Sequence, residues 1–117
     1  MTGLAGVIRG LAAREGVQAA VLLSADGLPI EHASAQAIEA DTVAALAATL
    51  ARHAQRMGEG AARGELRTTV LEFDQGSVVL ARVGGGDWLA VLSRPDADIG
   101  PLLYDLRHHR AALTPLL

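Results

Sequence analysis

The sequence predicts an α+β domain with the element order α-β-β-α-β-β-β-α, three helices layered on five strands. Three observations carry this. Apolar residues recur at helical spacing in three segments, near the start, the middle and the end of the chain. Five short runs rich in β-branched or aliphatic residues lie between those segments. Sharp turn signals then punctuate the runs: Asp26-Gly27, Asp74-Gln75-Gly76 and the stretch GGGD at 84–87.

Each element follows from local pattern. Leu4, Val7, Ile8 and Leu11 fall at i, i+3, i+4, i+7, one helical face, with Thr2 as the cap and Gly16 placed to end it. VQAAVLLS (17–24) is apolar without alternation, as expected of a strand covered on both faces. Asp26-Gly27 turns it, because glycine tolerates positive φ, and Leu28 to Ala33 returns, with Pro29 indicating an edge. A long helix is expected from Glu39 to Arg63, with Gly64 as its stop. LRTTVLEF (66–73), SVVLARV (77–83) and WLAVLS (88–93) read as a three-strand meander. Ile99, Leu102, Leu103, Leu106 and Leu113 mark a last amphipathic helix, capped by Asp96 or Asp98, with Pro101 tolerable in its first turn.

The 117 residues, without a linker-like stretch, are expected to form one domain (1–117). Hydrophobic residues make up 50% of them, but 23 are alanine and aromatics are 3%, so the core is aliphatic and finely packed. A net charge of −3 argues against a nucleic-acid partner, which calls for a basic face. All ten bases are arginine, which excludes mechanisms that need a lysine, including Schiff-base chemistry. The chain has no cysteine, so disulfides, thiolate nucleophiles and cysteine zinc sites are excluded. The first residues lack a long apolar run, and no uncharged run exceeds ten residues, so a cytoplasmic protein without membrane insertion is expected.

The middle helix is unusual. Eight of the twenty residues in VAALAATLARHAQRMGEGAA (43–62) are alanine. At about 100° per residue it divides into three sectors. Val43, Leu46, Leu50 and Met57 form a stripe of large groups, expected to cover the sheet. Ala44, Ala47, Ala51, Ala54, Gly58, Ala61 and Ala62 form a stripe of small groups. Asp41, Arg52, Gln55, Arg56, Glu59 and Arg63 fill the rest. The first and last helices are needed to cover the opposite face of the sheet. The small stripe then suits the same helix of a second copy, since self-complementary twofold dimers are the commonest oligomers. Alanine is also simply a strong helix former.

The element order, the strand-turn VLLSADGLPI, the alanine-rich middle helix and the closing stretch LAVLSRPDADIGPLLYDLR resemble the Roadblock/dynein light chain family. Its prokaryotic members include MglB-like regulators of small Ras-like GTPases. The similarity spans about residues 4 to 113 and rests on hydrophobic and turn patterns. It implies a five-stranded antiparallel sheet with one long helix on one face and two helices on the other. It also implies a homodimer in which the middle helices meet and the strand Leu66–Phe73 pairs with its mate, removing an exposed edge. The expected dimer interface is Ala44, Ala47, Leu50, Ala51, Ala54, Gly58, Ala61, Leu66, Thr68 and Val70. In the MglB-like branch the dimer offers one joint surface to a GTPase and orders its switch loops without donating an arginine finger. The chain ends at Leu117, so no C-terminal extension of the kind found in that branch is expected.

Arg52, Arg56, Glu59 and Arg63 are the candidate GTPase contacts, against an ordinary solvated face with i,i+4 pairing possibilities. Sharper chemistries find no support. GGGD lies between strands and does not open a helix, so it is a hairpin loop and no phosphate cradle. Ser24 sits in a turn without the GxSxG elbow of a nucleophile. Asp96 and Asp98 lack the spacing of a calcium loop. His108 and His109 point about 100° apart, while His32 and His53 are isolated, so no metal site is expected. Trp88 is expected as a core or rim anchor. The reading is a homodimeric regulator or scaffold of a small Ras-like GTPase, with no catalytic residues, metal or cofactor. The alternative is a dimeric signalling adaptor without effect on hydrolysis. A PAS-like ligand sensor is disfavoured by scarce aromatics and no evident polar cluster inside a pocket.

Overall fold

A computed structural model describes residues 3–108. The elements are α1 (Leu4–Ala12), β1 (Val17–Leu23), β2 (Pro29–Ser34), α2 (Ala40–Gly60), β3 (Thr68–Phe73), β4 (Gly76–Arg82), β5 (Trp88–Ser93) and α3 (Gly100–His108). The strands form one antiparallel sheet in the order β2-β1-β5-β4-β3. This is the expected element order, with β5 at the centre and β2 and β3 at the edges.

The sheet is sandwiched as the alternation of its strands dictates. Ala20, Leu22, Val79, Ala81, Leu89 and Val91 point to one face, where Ile8 of α1 and Leu102 and Leu106 of α3 cover them. Val21, Leu23, Leu80, Trp88 and Ala90 point to the other, under α2. Both faces of β1 and β5 are therefore dry, which accounts for their unbroken apolar runs.

Which side of α2 meets the sheet differs from the expectation. The residues packed down are Ala44, Ala47, Ala48 and Ala51, all buried. The large groups that were expected there point outward: Leu46 is 63% exposed and Met57 72%. Only Val43 and Leu50 of that stripe pack partly against the core. Ala44, Ala47 and Ala51, expected at a seam between copies, are buried in the chain's own core. The reason is steric. The sheet supplies the bulk through Leu23, Leu80 and Trp88, so the helix must supply short side chains to fill the space at native density. The β1–β2 turn presses in as well: a Cβ on Gly27, whose φ is +86°, would lie 3.1 Å from the Ala45 Cα.

Element ends shift by a few residues. α2 stops at Gly60, before the expected Arg63, because Ala62 takes φ +57° and Arg63 N–H donates back to the Gly58 carbonyl at 2.8 Å, a six-residue helix-closing bond. Gly16, with φ +84°, shapes the turn into β1, whereas α1 has already ended at Ala12. β3 begins at Thr68, two residues after the expected start. Asp98 caps α3, its Oδ1 accepting from Gly100 N–H at 3.0 Å. The expected cap Thr2, together with His109 and Leu113, lies outside the described residues.

Candidate functional site

With its alanine face buried, α2 shows solvent two flanks of opposite character. One carries Val43, Leu46, Leu50, Ala54, Met57 and Ala61, which fall within about 80° of one another at 100° per residue. Its C-terminal half looks towards the entry to β3, where a groove of about 960 Å³ is lined by Ala54, Met57, Gly58 and Ala61 on the helix side and by Leu66, Arg67 and Thr68 on the other. The groove therefore brings together five of the ten expected interface residues. β3 itself ends the sheet with an unpaired row of backbone donors and acceptors. Val70 (40% exposed) shares a face with its partner Val79, under α1 and α3. Phe73 (58% exposed) lies on the α2 face of the same strand. Four of the seven large exposed hydrophobic side chains, Leu46, Met57, Val70 and Phe73, thus lie on this flank or on β3. Isolated exposed apolar residues are ordinary, but an apolar helix flank beside an open strand edge marks a binding surface.

The opposite flank is basic. Arg52 donates to the Ala25 carbonyl at 3.3 Å and to Thr49 Oγ1 at 3.2 Å, while Arg56 follows one turn on. Glu59 instead accepts from Gln55 Nε2 at 3.4 Å, and Arg63 lies beyond the helix end, lining the groove. The four candidate GTPase contacts are therefore divided between two flanks. Between helix and sheet, Gln55 Oε1 accepts from both Leu66 N–H (2.8 Å) and Arg82 Nη2 (3.0 Å), and Arg82 Nε donates to the Leu66 carbonyl at 2.9 Å. This network fixes the entry to β3 against α2. It also lays the Arg82 guanidinium over the Trp88 ring, 4.5 Å from its centroid. Nearby, partial burial pushes the Asp87 carboxyl above its ordinary pKa.

Among the described residues no cluster of three or more His, Asp or Glu could hold a metal ion, and no helix is long and apolar enough to cross a membrane. Sequence reasoning missed Leu46 and Met57 as surface residues, because a large apolar stripe is ordinarily the core face. It also missed Gln55 and Arg82, whose pairing joins positions 27 apart in the chain.

A sequence model of the Roadblock/LC7 domain matches residues 6–93, three quarters of the chain. The chain belongs to the Roadblock/LC7 family. A Roadblock/LC7 domain from Streptomyces avermitilis is 31% identical, with 97% of each chain covered and a TM-score of 0.86. MglB from Myxococcus xanthus is similar at 18% identity, covering 96% of this chain and 92% of that one, with a TM-score of 0.86. The gliding protein MglB from Thermus thermophilus follows at 18% identity, 94% and 84% coverage, and a TM-score of 0.83. At 18% identity the MglB likenesses speak to the fold alone. No curated protein matches the chain. The layered α+β architecture read from the sequence is the Roadblock/LC7 fold, three helices on a five-stranded antiparallel sheet.

Proposed function

We propose that this Roadblock/LC7 domain is a cytoplasmic homodimer that regulates or scaffolds a small Ras-like GTPase. The observation that carries this reading is the outward apolar flank of α2 beside the unpaired edge of β3. Two copies joined edge to edge through β3 bring their α2 helices together across a twofold axis. Leu46, Leu50, Ala54, Met57, Gly58 and Ala61 are then shielded, along with Leu66, Thr68 and Val70 of the strand region. The seam is thus made of the larger side chains and the helix's last turns, in place of the alanines under the sheet. Self-complementarity suits a twofold contact, since one patch serves both subunits.

The joined helices form a composite platform with basic rims, which neither copy has alone. A GTPase seated there is stimulated only if the platform favours the ordered switch state over the disordered one. The platform supplies no reacting group in this mechanism; its contribution is conformational. The resemblance to MglB-like regulators supports the same choice of partner.

The test is GTP turnover by a small Ras-like GTPase from the same organism, measured with and without this protein, alongside binding by calorimetry. Faster turnover supports regulation. Binding with unchanged turnover leaves an adaptor, and no binding removes both.

A further inference from the structure

A shallow hollow of about 400 Å³ lies on the basic flank, away from the groove beside β3. Its base is Ala48, Ala51 and Trp88, and Arg52, Arg56 and Arg82 line it. No carboxylate belongs to the lining. Asp26 and Asp87 adjoin it in sequence, yet among the described residues neither they nor Glu59 comes within 4.0 Å of the three guanidiniums. Three arginines thus line one spot in a chain of net charge −3, and none of them is in an ion pair among the described residues.

The donors are also oriented. Arg82 commits Nε and one Nη2 hydrogen to Leu66 and Gln55, so its guanidinium is held over Trp88 with Nη1 left over. Arg52 is likewise held by Ala25 and Thr49. Arg56 makes no hydrogen bond to the described residues and is exposed at the mouth. Pre-oriented guanidinium forks match the two oxygens of a planar carboxylate, and the alanine and indole base matches its methylene stem. The hollow is too open to enclose a free small molecule, which ordinarily buries most of its surface in its site. A side chain held in place by its own protein needs no such enclosure.

We infer that this hollow receives an aspartate or glutamate side chain projected by the protein that docks on α2. This rests on the proposed platform, and it names the chemistry that the platform recognises. Arg63 and Glu59 take no part, whereas Arg82 and Trp88 do.

Trp88 is the one tryptophan of the chain, so its emission reports directly on the hollow. The probes are a capped peptide of four glutamates, a capped peptide of four glutamines, and sodium sulfate at matched ionic strength. The expected result is a saturable change with the glutamate peptide alone, weakened by added salt. Arg56→Gln, an exposed substitution, should weaken the glutamate peptide about tenfold. Gln55→Glu should do the same by placing a carboxylate beside Arg82 while keeping an acceptor for Leu66 N–H. No saturable change, an equal response to sulfate, or full affinity in both variants overturns the inference. The peptide titration needs no GTPase, so the two readings separate. Peptide binding without GTPase binding keeps the hollow and removes that partner. GTPase binding that Arg56→Gln leaves unaltered, with no peptide binding, removes the hollow and keeps the partner.

Discussion

Ala51→Leu tests directly which face of α2 is structural. Ala51 is 3% exposed and packs in the cluster with Leu23, Leu80 and Trp88. Adding an isobutyl group there overfills a close-packed layer, at a cost of about 1–3 kcal/mol. For a domain of this size each kcal/mol lowers Tm by about 4 °C, so a drop of about 4–12 °C is expected. The contrasting variant is Leu46→Ala. Within the separated subunit Leu46 is 63% exposed, so only about a third of the 1.5–3 kcal/mol of a fully buried leucine is at stake there, about 0.5–1 kcal/mol or 2–4 °C. Both are read by far-ultraviolet circular dichroism melts at one fixed protein concentration, because assembly makes Tm concentration-dependent. Light scattering gives the mass of each in parallel. Ala51→Leu should melt early while keeping the wild-type mass at low temperature. Should Ala51→Leu instead melt within about 2 °C of wild type and halve the mass, the alanine row faces a second subunit and the layer described here is wrong.

Three further outcomes follow from particular residues. Met57→Glu, at a site 72% exposed, should destabilise the separated subunit by less than about 0.5 kcal/mol while shifting the proposed dimer towards monomer in sedimentation. Gly27→Val should destabilise the fold by about 2 kcal/mol or more, since it forces a β-branched residue to φ +86° and crowds the Ala45 backbone; chemical denaturation measures it. The Asp87 pKa is raised by burial, so the folded state disfavours the charged form. Its penalty is present above the folded pKa and is relieved as pH falls from there towards the ordinary carboxylate value of about 3.9. Asp87→Asn should therefore raise stability at neutral pH and lose that gain over this acid window, as followed by denaturation at a series of pH values.

Much of the fold was legible because its signals are local. The run VQAAVLLS announces a strand dry on both sides, and β1 is that strand. Asp74-Gln75 closes β3 on β4 with Phe73 opposite Gly76, as a turn between alternating runs should. The Leu4–Leu11 periodicity gives α1, and its buried Ile8 lies on the predicted face. The candidate surface was less legible. Its residues on α2 were divided into large, small and polar sectors, but the sector that turns to the sheet is the small one. Arg82 gave no sign in sequence that it lies over Trp88 beside Arg52.

Periodicity and turn chemistry, which depend on neighbours a few positions apart, settled the order of elements, their types and the three-sector division of the middle helix. They could not settle which sector turns inward. Hydrophobicity ranks Leu46 above Ala48, yet the sheet beneath already holds Leu23, Leu80 and Trp88, and the Gly27 turn approaches the helix backbone too closely for a larger side chain. Fit between facing surfaces, a property of residues distant in the chain, placed the alanines inside. That choice left the larger apolar side chains beside the open edge of β3, and it opened the hollow where three arginines meet.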